Sequence, residues 1–323
     1  MTQHQIIYYY VAYFFVSFFL NTFSQVQCDA LKQALKSKHD TLINFVLGKS
    51  KRDRYEIRKA YKGFYGKELI DDVNSALSGN FRRVIVDLFR TPEERDAIYL
   101  YKAMKGAGTD EETLIEIICS RSNVELQKII QEYKKLYNQN LEDKVSSDTS
   151  GSVKKLLISL LQCKRSENST PNDDECKKVA ELLYKSGEGK LGTDEETFNK
   201  VFALSSPPEL FSINNFYTEL TSKSLEDAVK KEFSGSMKAA LKAILESIIS
   251  PSIYYAKRVK KAVKGLGTKD KMLIRNICSR EGINMKEIRE SYKQLFGKEM
   301  VDDIKGDTSG DYQKILMLLA SGD

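Results

Sequence analysis

The chain has 323 residues, of which 41% are hydrophobic and 30% are charged, with five prolines and no tryptophan. This is an ordinary globular composition with a helical lean, and the length allows one large domain or several small ones. The formal net charge of +6 favours acidic partners (nucleic acid, an anionic membrane or an acidic protein) without choosing among them. Only two histidines are present, which leaves little material for histidine-based catalysis.

The N-terminal segment differs from the rest of the chain. Residues 6–20 form an apolar, aromatic-rich run of 15 residues, and the first charge after it is Asp29. A run of this length is short for a transmembrane helix and fits the hydrophobic region of a secretory signal. No Lys or Arg precedes the run, and an uncleaved anchor or an unstructured tail is the alternative. We expect residues 1–27 to be a signal peptide cleaved near residue 27, and the protein to be secreted.

Internal repeats decide the architecture of the remaining chain. A Ser-Gly pair recurs at spacings of 72, 84 and 75 residues, with its glycines at Gly79, Gly151, Gly235 and Gly310. The longer second spacing is explained by a polar insertion between Leu161 and Cys176. The expected repeats are residues 28–90, 91–163, 164–250 and 251–323.

Each repeat has a helical pattern throughout. In the second, residues 93–104 carry apolar side chains at i, i+3, i+4 and i+7, and further helical segments cover residues 124–137, 141–145 and 153–161. Thr109 is expected to be a helix N-cap, with Glu112 completing a capping box, and Thr193 with Glu196 repeats this arrangement. The fourth repeat lacks the box. We therefore predict an all-α protein with five helices in each repeat.

A short glycine loop recurs in three of the repeats. It is M-K-G-A-G-T-D at 104–110, G-K-L-G-T-D at 189–194 and V-K-G-L-G-T at 263–268. An acidic residue lies 42 residues downstream each time, in the pairs Gly106 with Asp148, Lys190 with Glu232, and Gly265 with Asp307. Loop carbonyls together with a carboxylate at a constant sequence spacing are typical of a site for a hard cation such as Ca²⁺. The pattern therefore predicts three cation sites.

The first repeat lacks both halves of this pattern. Its loop at 33–41 contains no glycine, and Ala76 stands in the acidic position. Because alanine offers no side-chain oxygen, we expect this repeat to have no cation site.

Four repeats with K-G-x-G-T-D between two helices and D/E-x-S-G before the last helix resemble the annexin family. The resemblance covers residues 29–323 and implies a slightly curved disc of five-helix repeats. Its convex face would carry Ca²⁺ sites that dock reversibly on acidic, phosphatidylserine-like membranes. The third repeat departs from the pattern, because Ser205 stands where the second and fourth carry Arg121 and Arg280.

The expected ligands follow from calcium chemistry and from the resemblance. In the second repeat, three loop carbonyls and one bidentate carboxylate would leave the remaining positions to water or a lipid phosphate. The second-repeat set is Met104, Gly106, Gly108 and Asp148. The third-repeat set is Gly187, Lys190, Gly192 and Glu232. By family pattern, the fourth-repeat set is Val263, Gly265, Gly267 and Asp307.

Other functions are weighed against this one. Residues 187–192 formally match the G-x-G-x-x-G nucleotide-binding motif, but they follow a helix rather than a strand. No nucleic-acid partner and no catalysed reaction are expected. The alternative is a secreted interaction or effector-type protein that uses the same scaffold mainly to bind a protein or polysaccharide partner.

The five cysteines and one sequon complete the candidate residues. Cys119 and Cys278 occupy equivalent places in two repeats and are expected to be small core residues. Cys163 and Cys176 bracket the polar insertion, so in a secreted protein they could form a disulfide. Asn168, in the sequence N-S-T, is a glycosylation candidate if the signal functions.

Overall fold

The computed structural model describes residues 22, 24–265 and 267–322, and the expected signal segment lies almost entirely outside these residues. Within them the regular structure is helical, which confirms the all-α prediction. No helix of the described chain is both long enough and apolar enough to cross a membrane.

Each repeat contributes five helices in chain order. The helices of the first repeat are α1 (residues 24–35), α2 (His39–Leu47), α3 (Lys51–Tyr65), α4 (Leu69–Ala76) and α5 (Gly79–Leu88). Those of the second are α6 (Pro92–Ala103), α7 (Glu111–Ile118), α8 (Asn123–Tyr137), α9 (Leu141–Asp148) and α10 (Gly151–Leu161).

The third and fourth repeats follow the same plan. The helices of the third repeat are α11 (Asp173–Ser186), α12 (Glu195–Leu204), α13 (Pro207–Thr221), α14 (Leu225–Glu232) and α15 (Gly235–Ile249). Those of the fourth are α16 (Pro251–Ala262), α17 (Asp270–Arg280), α18 (Met285–Phe296), α19 (Met300–Asp307) and α20 (Gly310–Ser321).

The described residues fall into two compact units. One lies within Met1–Thr91, Val259–Arg289 and Phe296–Asp323, and the other comprises Pro92–Arg258 and Glu290–Leu295. In the second unit α6 packs on α8, α11 on α13, and α7 on α15. In the first, α5 packs on both α17 and α20. Each unit thus packs helices from more than one repeat against one another.

A tyrosine in the third helix of every repeat is fully buried. Its four copies have no exposed surface and are Tyr61, Tyr133, Tyr217 and Tyr292. The hydroxyl of Tyr61 donates to Asp72 Oδ2 at 2.7 Å, and that of Tyr217 donates to Glu188 Oε2 at 3.0 Å. The Tyr61 and Tyr217 hydroxyls thus tie their helices to a neighbouring helix and to a loop. The buried Tyr133 hydroxyl has no hydrogen-bond partner among the described residues.

Capping residues explain where the third helices begin. Ser50, Ser122 and Ser206 each form a capping box with the acidic residue three positions on, at the starts of α3, α8 and α13. Each box satisfies two backbone N–H groups that the helix leaves without a partner.

The expected capping boxes at the glycine loops are wrong. Helix α7 has Asp110 as its N-cap, whose carboxylate accepts from Thr113 N at 3.1 Å, and Asp194 caps α12 in the same way. Thr109 and Thr193 lie one residue before these caps, and their hydroxyls bond to a distant segment instead.

The cysteines of the described chain are free thiols. Cys119 and Cys278 are buried, which confirms their expected place in the core. The disulfide considered between Cys163 and Cys176 is not formed: the Cys176 thiol is buried against Glu209 O, and Cys163 lies near Leu161 O. Burial raises the pKa of the Cys119 thiol to about 12, which leaves it protonated and inert.

Candidate calcium centres

The glycine loops of the second and fourth repeats share an unusual backbone conformation. Gly106 and Gly108 have φ of +102° and +87°, and Gly265 and Gly267 have φ of +116° and +83°. Side-chain-bearing residues rarely adopt these angles, so the loop shape depends on glycine. Within the described residues, no hydrogen bond is made to the carbonyl oxygens of the second-repeat loop at Met104, Gly106 and Gly108. These oxygens are therefore available to a cation.

A threonine hydroxyl ties each of these loops to its acidic residue. Thr109 Oγ1 donates to the backbone oxygen of Asp148 at 3.0 Å, and Thr268 Oγ1 donates to that of Asp307 at 2.7 Å. A backbone bond on the other side of the loop, from Asp110 N to Ala103 O at 2.9 Å, closes it. The structure thus brings the predicted loops and acids together, although 39 residues separate threonine from acid.

The two carboxylates differ in their partners. Asp148 Oδ1 accepts from Lys144 Nζ at 2.8 Å and from Ser147 Oγ at 2.9 Å. Asp307 Oδ2 is buried and has no hydrogen-bond partner among the described residues. An unpaired buried carboxylate oxygen is costly, because it has lost water without gaining a donor or a cation.

The third repeat brings its loop and acid together in a different way. Thr193 Oγ1 donates to the Glu232 carboxylate itself, at 2.7 Å to Oε2. Of the expected ligands, Gly192 has φ of +82°, whereas the Gly187 carbonyl already accepts from Lys190 N at 3.1 Å. Counted back from Thr193, the position equivalent to Met104 is Glu188.

Glu188 is a loop residue that the sequence reasoning missed. Its carboxylate accepts from Tyr217 Oη at 3.0 Å and pairs with Lys223 at 3.1 Å and Lys231 at 3.2 Å. Burial alone would raise the pKa of Glu188, but these hydrogen bonds outweigh it and the pKa is lowered. Counting five residues back from Thr193 identifies Glu188 in the sequence, as Met104 lies five residues before Thr109. Only the structure shows the three side chains that bind its carboxylate.

The first repeat uses the equivalent segment for ion pairs. His39 Nδ1 lies 2.6 Å from Asp311 Oδ2, and Asp40 Oδ1 lies 2.6 Å from Lys314 Nζ. Ala76 is exposed at the end of α4. These contacts join α2 to the last helix of the chain and replace the glycine loop with a structural link.

The donor chemistry of the second and fourth loops fits a hard cation. Ca²⁺ accepts irregular sets of carbonyl and carboxylate oxygens, and each of these loops places potential carbonyl donors beside one acid. Within the described residues, no three His, Cys, Asp or Glu side chains cluster at metal-binding distance. Any cation at these places therefore depends on backbone oxygens, and the unpaired Asp307 Oδ2 is the oxygen most in need of one.

Four five-helix repeats with glycine loops tied to downstream acids define a class of protein. The annexin family model matches residues 26–88, 95–160, 178–244 and 254–319, and the chain belongs to the annexin family. Annexin A4 of Canis lupus familiaris is 43% identical over 296 residues, which cover 91% of this chain and 93% of the relative. Human annexin A7 is 38% identical, with 90% of this chain and 60% of the relative covered.

Solved structures agree with this assignment. Annexin III superposes with a TM-score of 0.89 at 36% identity, covering 93% of this chain and 94% of the other. A calcium-bound annexin (Sm)1 superposes with a TM-score of 0.82 at 27% identity, covering 92% and 90%. Ca²⁺ binding and Ca²⁺-dependent attachment to acidic phospholipids are characteristic of the family.

Proposed function

We propose that this chain is a non-catalytic protein that attaches reversibly to acidic phospholipid membranes when Ca²⁺ fills its loop sites. The observation that carries the proposal is the link between loop and acid in the second and fourth repeats. There a threonine hydroxyl holds a positive-φ glycine loop against the residue that carries the carboxylate. Loop and acid are therefore positioned before any cation arrives, which reduces the entropy lost on binding.

The proposed ligand sets are those expected from the sequence, with one revision. Carbonyls of Met104, Gly106 and Gly108 with the Asp148 carboxylate form the second-repeat set, and the fourth-repeat set is equivalent. In the third repeat, the register and the engaged Gly187 carbonyl favour Glu188 as the first loop residue of the set. When bound, Ca²⁺ supplies a positive charge with open coordination positions, which lipid phosphate oxygens can fill.

Sedimentation with phosphatidylserine vesicles tests the proposal. Wild-type protein should pellet with vesicles in Ca²⁺ and stay in the supernatant with chelator. An Asp148→Ala/Asp307→Ala variant should need roughly tenfold more Ca²⁺, because it loses the only charged ligand of two sites. Equal pelleting of both proteins at every Ca²⁺ concentration contradicts the site assignment.

The matched control removes the same charge from the same two helices. Asp143 and Asp302 lie exposed in the first turns of α9 and α19, at the opposite ends of these helices from Asp148 and Asp307. An Asp143→Ala/Asp302→Ala variant should therefore behave as wild type. Neutral phosphatidylcholine vesicles supply the second control, and pelleting with them in Ca²⁺ would refute the requirement for acidic lipid.

Export through the secretory pathway is the second part of the proposal, and it rests on the apolar run at residues 6–20. Residues 24–27 of α1 carry no buried side chain, whereas Cys28 and Leu31 are fully buried. Among the described residues, cleavage near residue 27 therefore removes no buried side chain. Protein recovered outside the cell should begin near residue 28, as read by N-terminal sequencing, and a start at residue 1 or 2 contradicts cleavage.

Removal of glycans with an amidase should reduce the mass of the exported protein if the exposed Asn168 is modified.

A further inference from the structure

We propose that the three sites fill in a set order, the fourth first, because lysine ammonium groups of the protein occupy the carboxylates of the second and third. This inference rests on the proposed Ca²⁺ binding and concerns how the same sites are regulated. Its basis is the difference between the carboxylates, since the loops of the second and fourth repeats are alike in backbone conformation.

In the second repeat the competing group is Lys144. It lies four residues before Asp148 on α9, and its Nζ donates to Asp148 Oδ1 at 2.8 Å. The two side chains are 33% and 12% exposed, so the pair is only partly screened by water. Residues at i and i+4 face each other on a helix, so the ammonium group stays close to the acid whatever the conformation of the glycine loop.

In the fourth repeat the equivalent position carries the opposite charge. Asp303 lies four residues before Asp307, and its carboxylate pairs with Lys260 at 2.5 Å. Among the described residues, no Lys, Arg or His nitrogen lies within 4.0 Å of the Asp307 carboxylate. Its buried Oδ2 has no hydrogen-bond partner there either. A cation that binds this carboxylate displaces no ammonium group of the protein. It also gives the buried Asp307 Oδ2 a partner and so removes the cost of leaving that oxygen unpaired.

In the third repeat Lys231 lies between two carboxylates. Its Nζ is 3.2 Å from Glu188 Oε1 and 3.7 Å from Glu232 Oε1. Thr193 donates to the other oxygen of Glu232, so both oxygens of that acid already face a donor. A cation entering here competes with an ammonium group that also holds the loop residue Glu188.

The consequence is a graded response to Ca²⁺. An ammonium group must leave its carboxylate before that oxygen can bind a cation, and its remaining charge then opposes the divalent ion nearby. Partly exposed ion pairs of this kind change a binding constant by about 1.5- to 5-fold. The fourth site should fill at the lowest Ca²⁺ concentration, and the second and third should follow.

Proteins with one intact site provide the test. Glu232→Ala/Asp307→Ala retains only the second-repeat acid, and Asp148→Ala/Glu232→Ala retains only the fourth. Ca²⁺ affinity is measured by calorimetric titration without lipid and, independently, as the Ca²⁺ midpoint of sedimentation with phosphatidylserine vesicles. We expect the fourth-repeat protein to bind more tightly in both measurements.

The decisive variant is Lys144→Met in the second-repeat protein. Ca²⁺ affinity should rise about 1.5- to 5-fold. Lys155→Met, which removes the same charge from exposed surface of the next helix, should leave the affinity unchanged. Equal affinities for the Lys144 and Lys155 variants overturn the inference while the proposed function stands. Failure of both one-site proteins to bind Ca²⁺ overturns the proposed function and this inference with it.

Discussion

Replacement of Gly265 by alanine should weaken Ca²⁺ binding by the fourth repeat through backbone strain alone. Gly265 has φ of +116°, and a Cβ added there meets no atom within 4 Å. Among the described residues, no clash with an atom beyond the adjacent residues therefore contributes to the effect. Holding a side-chain-bearing residue in such a conformation costs about 1–3 kcal/mol, which corresponds to a loss of affinity of roughly 5- to 150-fold.

Gly306 offers a matched control beside the same acid. It lies in α19 directly before Asp307, its φ is not positive, and an added Cβ also meets no atom within 4 Å. Gly306→Ala should raise the free energy of unfolding by up to about 1 kcal/mol, because alanine favours a helix interior over glycine. Its Ca²⁺ affinity should stay at the wild-type value.

The assay is calorimetric Ca²⁺ titration in the protein that retains only the fourth-repeat acid, with thermal unfolding in chelator as the second measurement. Gly265 is exposed, so the Gly265→Ala loop can relax and the unfolding midpoint should change little while the affinity falls. Equal affinities for the Gly265 and Gly306 variants would refute the requirement for a positive-φ loop.

Three further predictions concern stability, pH and reactivity. Ser206→Ala removes a fully buried N-cap and should lower the free energy of unfolding by about 0.5–2 kcal/mol in denaturant titrations. Glu188 has a lowered pKa, so its stabilising contacts are fully present above its ordinary value of 4.5 and are lost as pH falls through the folded value. The difference in unfolding midpoint between wild type and Glu188→Gln should therefore shrink from pH 7 to pH 3. Iodoacetamide should modify the half-buried Cys163 before the buried Cys119 when the labelled peptides are mapped by mass spectrometry, and labelling in the reverse order contradicts this.

The repeats could be predicted because the features that define them are local. The Ser-Gly pair marks the start of each last helix, where the glycines Gly79, Gly151, Gly235 and Gly310 all have positive φ. Apolar spacing locates the helices to within a few residues, as for the segment expected at 93–104 and found at Pro92–Ala103. Because each of the four repeats buries the equivalent helix faces, the same apolar pattern occurs four times in the sequence and can be recognised there.

The errors and omissions arise where a side chain finds a distant partner. Threonine is a residue type that often caps helices, but the Thr109 hydroxyl donates to Asp148 O instead. The neighbouring Asp110 caps the helix. The local sequence contains both possible N-caps and does not show which of them caps the helix. Lys144 and Asp148 lie four residues apart on one helix, so that pair can be expected from the sequence. Only the fold shows that Lys260 pairs with Asp303, 43 residues away. The chain's many lysines look alike in sequence, and their different partners decide the electrostatics of each site.

The threonine bond in the second and fourth repeats ends on a backbone oxygen, not on the acidic side chain. Loop anchoring and charge are therefore separable: the acid can be exchanged for alanine while the anchoring bond keeps both partners. Such a repeat can lose its charge in a single mutational step without loosening its helices, which is consistent with the intact α4 that ends at Ala76 in the first repeat. The number of charged loops in this architecture is thus free to drift or to be engineered, one residue at a time, on a scaffold that does not depend on them.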